Sequence, residues 1–383
     1  DSWIRFQNSV QYNIGFCQVS GIEKSELAEK HPKLIGNPIL ISYKTNGNVL
    51  KYRGRFSGND IEKDEDNVSG LQACSISIDA SQKAHRALRW LLNRQGFIKK
   101  TSQNRRTNFF GERVVIWDSG IRDSIPTILD DSNEFIESLL EKYDLKENEQ
   151  YSGDFGELVA NKFRSAMNGF RQEFSSDEYV NILSLQNISD GRLSITGFQS
   201  LTASEYLNRF EQWQTNYSFF SPMSYRIPFS PSISSIVDIL YSKEKESKNS
   251  PNRKIKNMMF RRLLPSILYG HKIPRDIELQ ASRLASQRLA LRDKIKENNE
   301  HWEKILWIAC AIYKGNHHER NYKVTLDKER NTRDYLYGRL LAISDKVEEV
   351  TFDDEKTKRT TNAARMMQVF SDKPYRTWQI LEK

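Results

Sequence analysis

Val180-Asn181-Ile182-Leu183-Ser184-Leu185, then Asp190-Gly191, then Arg192-Leu193-Ser194-Ile195-Thr196 is the stretch that decides the fold class. Strand-forming residues flank an Asp-Gly dipeptide, the chemistry of a β-hairpin with a tight turn. Upstream, Val114-Val115-Ile116-Trp117 is a compact apolar run that reads as a buried strand. Leu40-Ile41-Ser42-Tyr43 and Cys74-Ser75-Ile76-Ser77-Ile78 read as two further short strands, with the turn dipeptide Asn46-Gly47 and an acidic loop from Asp60 to Asp66 between them. Ser81 to Asn93 carries Ala84, Leu88, Leu91 and Leu92 at helix spacing, and Asp130 to Phe174 is mostly helical, with Phe135, Ile136, Leu139, Leu140 and Tyr143 on one face.

Downstream of the hairpin the pattern turns helical. A helix is expected from about Ser204, with Tyr206, Phe210 and Trp213 at helix spacing. Residues 221–254 are rich in Ser, Pro, Lys and Asn and read as a domain boundary or polar loop. Met258, Met259, Leu263 and Leu264 form the next apolar face, and Pro265 predicts a break or kink nearby. Pro274 opens a helix expected to run to about Asn298, and Trp302 to Tyr313 is apolar enough to be largely buried. Asp334 to Val347 reads as amphipathic and Thr361 to Phe370 as a shorter helix. Asp372 and Pro374 read as the cap and first turn of another. No internal repeat or heptad array stands out. The expected class is α+β: a mixed α/β N-terminal part (1–226), a polar linker or loop (227–254) and an all-helical, basic bundle (255–383).

Composition bounds the function. The 383 residues are 38% apolar and 11% aromatic, a globular balance. Three scattered cysteines, Cys17, Cys74 and Cys310, exclude a disulfide framework and fit a reducing cytoplasm. No apolar run reaches membrane-spanning length, so no membrane partner is expected. The +8 net charge is uneven: residues 1–250 carry 30 basic and 32 acidic side chains, and residues 251–383 carry 28 and 18. The positive excess therefore sits in the last third, as a polyanionic partner would require.

Enzyme chemistry finds little support. There is no phosphate-cradling glycine loop and no dinucleotide fingerprint. Cys17 with His31, and Cys74 with His85, lack the close spacing of a zinc knuckle. His317-His318-Glu319 lacks the second histidine of a zincin helix, and Asp64-Glu65-Asp66 and Asp353-Asp354-Glu355 sit in loop-like, solvated sequence. No nucleophile–base pair stands out, so neither catalysis, metal nor cofactor is expected. Basic segments are better defined. Lys51-Tyr52-Arg53-Gly54-Arg55-Phe56 interleaves cations and aromatics around a glycine, and Asn104-Arg105-Arg106 is a short basic loop with an amide. Arg253, Lys254, Lys256, Arg261 and Arg262 form the densest basic patch. Arg288 and Arg292, with Arg283 and Lys296, are expected to line one helix face. The bland alternative for each is a solvated surface.

Taken in order, these segments resemble the large subunit of the type I-C CRISPR Cascade complex, the Dvulg-subtype Csd family. The resemblance runs over nearly the whole chain. It begins with Cys17-Gln-Val-Ser-Gly21, His31-Pro32-Lys33, Tyr52-Arg-Gly-Arg-Phe56 and Ser81-Gln-Lys-Ala-His85. It continues through Gly191-Arg-Leu-Ser-Ile-Thr196, Arg262-Leu-Leu-Pro-Ser-Ile267 and Ile273-Pro-Arg-Asp276 to Arg333-Asp-Tyr-Leu-Tyr-Gly-Arg-Leu-Leu-Ala342, Thr361-Asn-Ala-Ala-Arg365 and Pro374-Tyr-Arg-Thr-Trp378. Each motif is short; their order carries the specificity. Gln82, Lys83, Arg192, Arg339 and Arg365 in these blocks join the candidate nucleic-acid contacts.

The resemblance implies a non-catalytic subunit of a guide-RNA complex that helps read the protospacer-adjacent motif, open target DNA and hold the displaced strand. Its implied partners are target DNA, guide RNA, the backbone and small subunits and a helicase-nuclease. The family's chain is longer, so truncation at the N-terminus, and at the C-terminus, is expected. Two alternatives remain open: a metal-dependent nuclease, and a protein-only scaffold whose basic helices dock acidic partners.

Overall fold

The computed structural model describes residues 14–28, 31–34, 40, 75–94, 112–120, 165, 167–169, 171–172, 178–189, 192–221, 224–241, 251–291, 300–324, 326–351 and 360–382. The chain divides into two compact units, the first comprising 1–121 and 180–200, the second 122–179 and 201–383.

In the first unit β1 (Ile14–Gly15) pairs antiparallel with β2 (Ser25–Glu26). Helix α1 (Ile78–Arg94) follows, then β3 (Glu112–Asp118), β4 (Tyr179–Ser189) and β5 (Arg192–Thr202), which form one sheet in the order β3-β4-β5. β3 runs antiparallel to β4, with Val114 opposite Ser184 and Ile116 opposite Ile182. The expected hairpin strands are present, with Asp190-Gly191 between them. As the central strand, β4 buries Val180, Ile182, Leu183 and Leu185 on both faces, whereas edge strand β5 buries Leu193 and leaves Ile195 and Phe198 exposed. Leu88 and Leu92 of α1, one turn apart, join Leu34, Val115, Leu183, Leu185 and Leu193 in one core. Full burial of each such side chain contributes about 1.5–3 kcal/mol.

The expected strand at Cys74–Ile78 is a correction. Residue 77 makes only a single bridge to Leu27. The helix begins at Ile78 because Ser77 Oγ accepts the Ala80 N–H at 3.2 Å, a capping bond that prevails over the period-2 alternation. The strand read at Leu40–Tyr43 and nearly all of the helix read at Asp130–Phe174 fall outside the described residues.

The second unit is mainly helical: α2 (Ala203–Tyr217), β6 (Phe219–Ser221), β7 (Ser224–Phe229), α3 (Ile233–Tyr241), α4 (Pro251–Leu268), α5 (Arg275–Ala285), α6 (Glu300–Asn316), a 3₁₀ turn (His318–Arg320), α7 (Arg333–Thr351), α8 (Asn362–Asp372) and α9 (Pro374–Leu381). Thr202 Oγ1 caps α2 through the Glu205 N–H, and Thr361 Oγ1 caps α8 through the Ala364 N–H. The fold class is α+β with a helical C-terminal part, as expected. The core holds Tyr206, Phe210, Ile236, Leu263, Ile277, Trp307 and Ile308. Gly315 makes this packing possible: a Cβ there would lie 2.1 Å from the Tyr217 ring. The Tyr217 ring stacks on Trp213 at 4.2 Å between centroids, fixing it in place.

Four boundaries differ from the sequence reading. The expected polar linker contains β7 and α3, whose Ile233, Ile236, Val237 and Leu240 are buried at helix spacing amid serines. Pro265 lies inside α4 without ending it at once: the helix runs three residues further to Leu268, and the Pro265 carbonyl still accepts the Tyr269 N–H at 2.9 Å. α5 stops at Ala285 rather than near Asn298; the Ser286 and Gln287 N–H groups fold back onto the Ser282 and Leu284 carbonyls. Asp372 ends α8, and Lys373 is the residue that precedes Pro374 at the start of α9.

Candidate nucleic-acid interface

Of the expected contacts, Lys51, Arg53, Arg55, Asn104, Arg105, Arg106 and Arg292 lie outside the described residues. Arg192 opens β5, and Arg253 and Lys254 lie in the first turn of α4, with side chains outside the description. The remaining eight separate into exposed and structurally engaged groups. On α1, Gln82 and Lys83 are exposed. Lys83 is held by Asp79 one turn back at 2.7 Å, and Gln82 accepts from Arg86. Arg365 on α8 is exposed and donates to Thr360 Oγ1 at 3.2 Å.

The best-defined basic surface spans α4 and α5. Arg262 grips Asp276 with two parallel bonds of 2.7 and 2.6 Å. That fork-to-carboxylate geometry is the strong form of the pair. The Arg262 hydrogen bonds hold the Asp276 carboxyl below the usual carboxylate range. Arg261 flanks the clamp on α4 and Arg275 on α5, both exposed, and Arg283 follows two turns along α5, also exposed. Arg283 makes no side-chain hydrogen bond or ion pair to a described residue. Met258 on α4 and Leu279 on α5 are exposed as well. The two helices thus offer exposed positive charge together with exposed apolar side chains.

Arg288 is a correction to the expected basic stripe. It follows the end of α5 and turns inward. Its guanidinium lies 4.7 Å above the Trp302 ring and bonds Asp345 of α7 at 2.7 Å. Asp345 also accepts from Thr361, the α8 cap, and Glu348 accepts the Asn362 N–H at 2.5 Å. Arg288 therefore joins α6, α7 and the start of α8; it is a structural cation. Arg339 on α7 is half-buried and makes no ion pair with a described residue.

The sequence reading also missed two buried polar centres. Lys314 of α6 reaches the end of α2, donating to the Thr215 and Asn216 carbonyls at 2.8 and 3.2 Å. A cation there meets the negative end of the helix dipole, while burial lowers its pKa to about 8. Asn316 uses both ends of its amide. Its Oδ1 accepts from Ile273 N and the Tyr217 hydroxyl, and its Nδ2 donates to Ile273 O and Glu278 Oε2. Burial pushes the Tyr217 phenol up to about 12. His317 packs beside this centre, 3.0 Å from Glu278. Glu278 and Asn316 come from different helices, and no local spacing encodes their meeting.

Around α1 the structure brings together two of the residues considered for zinc. His31 stacks on His85 with centroids 5.9 Å apart, and Ser81 bonds both rings. Cys17 is buried, and its Sγ accepts the Ser20 and Ser77 N–H groups. Burial raises the thiol, but these bonds outweigh it and bring the pKa down to about 6. Cys74 and the two acidic clusters lie outside the described residues. Among the described residues no three His, Cys, Asp or Glu side chains come together as a metal site, and no helix is long and apolar enough to cross a membrane.

The model of a family of CRISPR-associated proteins, Cas_Csd1, matches residues 1–383, the whole of this sequence. The chain belongs to the Cas_Csd1 family. No curated protein matches it. Membership agrees with the ordered motifs read from Cys17 to Trp378 and is consistent with a type I-C large subunit. For a CRISPR-associated chain, the exposed cations of α4 and α5 become candidates for contact with nucleic acid.

Proposed function

We propose that this Cas_Csd1 protein is the non-catalytic large subunit of a type I-C Cascade complex in the cytoplasm. In this reading it helps recognise the adjacent motif, open the duplex and hold the displaced strand, and it contributes to recruiting the helicase-nuclease. Guide RNA, backbone subunits and small subunits are its partners in the assembly. Guide pairing would read the sequence, while the protein supplies cations and shape.

The observation that carries the nucleic-acid part is the exposed Arg261, Arg275 and Arg283 surface, held in register by the Arg262–Asp276 clamp. The two helices that carry these cations are tied by that clamp, so a phosphate chain lying along them would meet backbone positions already linked, and only the arginine side chains would be ordered on binding. Replacing Arg261, Arg275 and Arg283 together by Ala in the assembled complex is expected to weaken target binding. The slope of log K against log salt should also flatten, by about 0.7 for each single-strand phosphate that is no longer neutralised. Unchanged affinity with an unchanged slope would refute this assignment. The non-catalytic part is tested by incubating purified chain and DNA with Mg²⁺ or Mn²⁺; intact DNA is expected, and metal-dependent cleavage would overturn it.

A further inference from the structure

Helix α7 carries five aliphatic residues on one side, away from the contacts it makes with the described residues. None of its 19 residues is buried. Leu336, Ile343, Val347 and Val350 are 39, 55, 59 and 73% exposed, and Leu340 between them is half-buried. At a helical pitch these five fall on one narrow stripe about 21 Å long, with the alternating three- and four-residue spacing of a coiled-coil seam. One flank of α7 and its far side are the parts in use within the chain. Tyr337 meets Phe370 edge-on at 6.0 Å, Asp345 bonds Arg288, and Glu348 binds the start of α8. The stripe is a second face that no described residue is shown to cover, with Leu340 alone half-buried in it.

Its edges are unequal. With Leu340 and Val347 at a positions and Leu336, Ile343 and Val350 at d, one flank holds Arg339 and Lys346. The other holds Tyr337, Ser344 and Thr351, which carry no charge. Arg339 has no ion-pair partner among the described residues. Lys346 is held by Glu349 of the same helix in an exposed pair, which costs little to exchange. We infer that this seam docks an amphipathic helix of a different protein chain, one with an apolar a/d stripe and acidic residues on the edge that meets Arg339 and Lys346.

Charge complementarity selects that occupant over a second copy. An antiparallel pair of α7 helices would set Arg339 and Lys346 against their own copies. A parallel pair would set them against neutral Ser344 and Thr351, with no gain. Nucleic acid fits less well, because the stripe is aliphatic and offers no ring for base stacking. Tyr337, the nearest aromatic residue, is turned onto Phe370. This docking face stands apart from the nucleic-acid reading, whose test residues lie on α4 and α5.

The test uses the full chain and two synthetic helical peptides with the same Ile/Leu seam, one flanked by Glu and one by Lys, with binding read by fluorescence anisotropy. The Glu-flanked peptide is expected to bind about tenfold tighter or more, since flanking charges set partner choice in such seams. Ile343→Asp with Val347→Asp should abolish that binding while leaving the thermal melt in place, because both side chains are exposed. If that variant fails to fold, Arg339→Glu with Lys346→Glu tests the same claim: it should reverse the preference toward the Lys-flanked peptide. Equal binding of both peptides would overturn the proposal. So would displacement of the Glu-flanked peptide by a DNA oligonucleotide. Concentration-dependent self-association of the chain that Ile343→Asp abolishes would overturn the choice of occupant.

Discussion

His31 is held in its neutral form by where it sits. Burial, and then the neighbouring His85, lower its pKa from the ordinary 6.5. The folded state therefore binds fewer protons than the unfolded chain as pH falls through that value. Stability is unaffected above about pH 6.5 and declines below it, until the folded pKa is passed. Urea midpoints of the intact protein should thus drop between about pH 7 and pH 5, and His31→Gln should shrink the drop. An equal drop in the variant would remove His31 as the cause. The residue scale is also where sequence reading was weakest. Arg288 and Arg283 look alike as letters, yet one is spent on Asp345 and Trp302 and the other is exposed. Which role an arginine takes depends on partners 14 to 57 positions away, which no local pattern reveals.

At the scale of elements the sequence was more informative. The hairpin strands follow from strand-forming residues around Asp190-Gly191, and the strand at Glu112–Asp118 and the buried stretch within Glu300–Asn316 follow from apolarity. The misreadings share a cause: local bonds or buried minority residues outvoted composition. Ser77 capped a helix inside an alternating stretch, and four apolar residues made α3 within a serine-rich one. Two predictions belong here. Arg288→Ala removes a half-buried charge-assisted bond and a ring contact together. It should cost about 1–3 kcal/mol in chemical denaturation while leaving the salt slope of DNA binding unchanged. A changed slope with unchanged stability would return Arg288 to the nucleic-acid surface. Gly338 lies in the middle of α7, and a Cβ there meets nothing within 4 Å. Gly338→Ala should stabilise the chain by about 0.5–1 kcal/mol, read as a higher urea midpoint; a lower midpoint would mean the position is sterically occupied.

For the molecule as a whole, charge and fold point the same way. The positive excess belongs to residues 251–383, and the described part of that segment is helical with exposed arginines on α4 and α5. Composition gave the location of that excess; only the structure distinguishes cations that are exposed from cations that hold helices together. Family membership supplies the setting, that of a CRISPR-associated protein, and the proposed reading adds that the chain acts on duplex DNA before the guide pairs. The most direct measurement compares guide-RNA complexes purified with and without this chain. Each is titrated with a fully paired target and with the same target pre-opened over the guide-matched segment. If the chain serves duplex recognition and opening, its omission should cost far more affinity on the paired target than on the opened one. Equal affinity for the paired target with and without the chain would contradict that role.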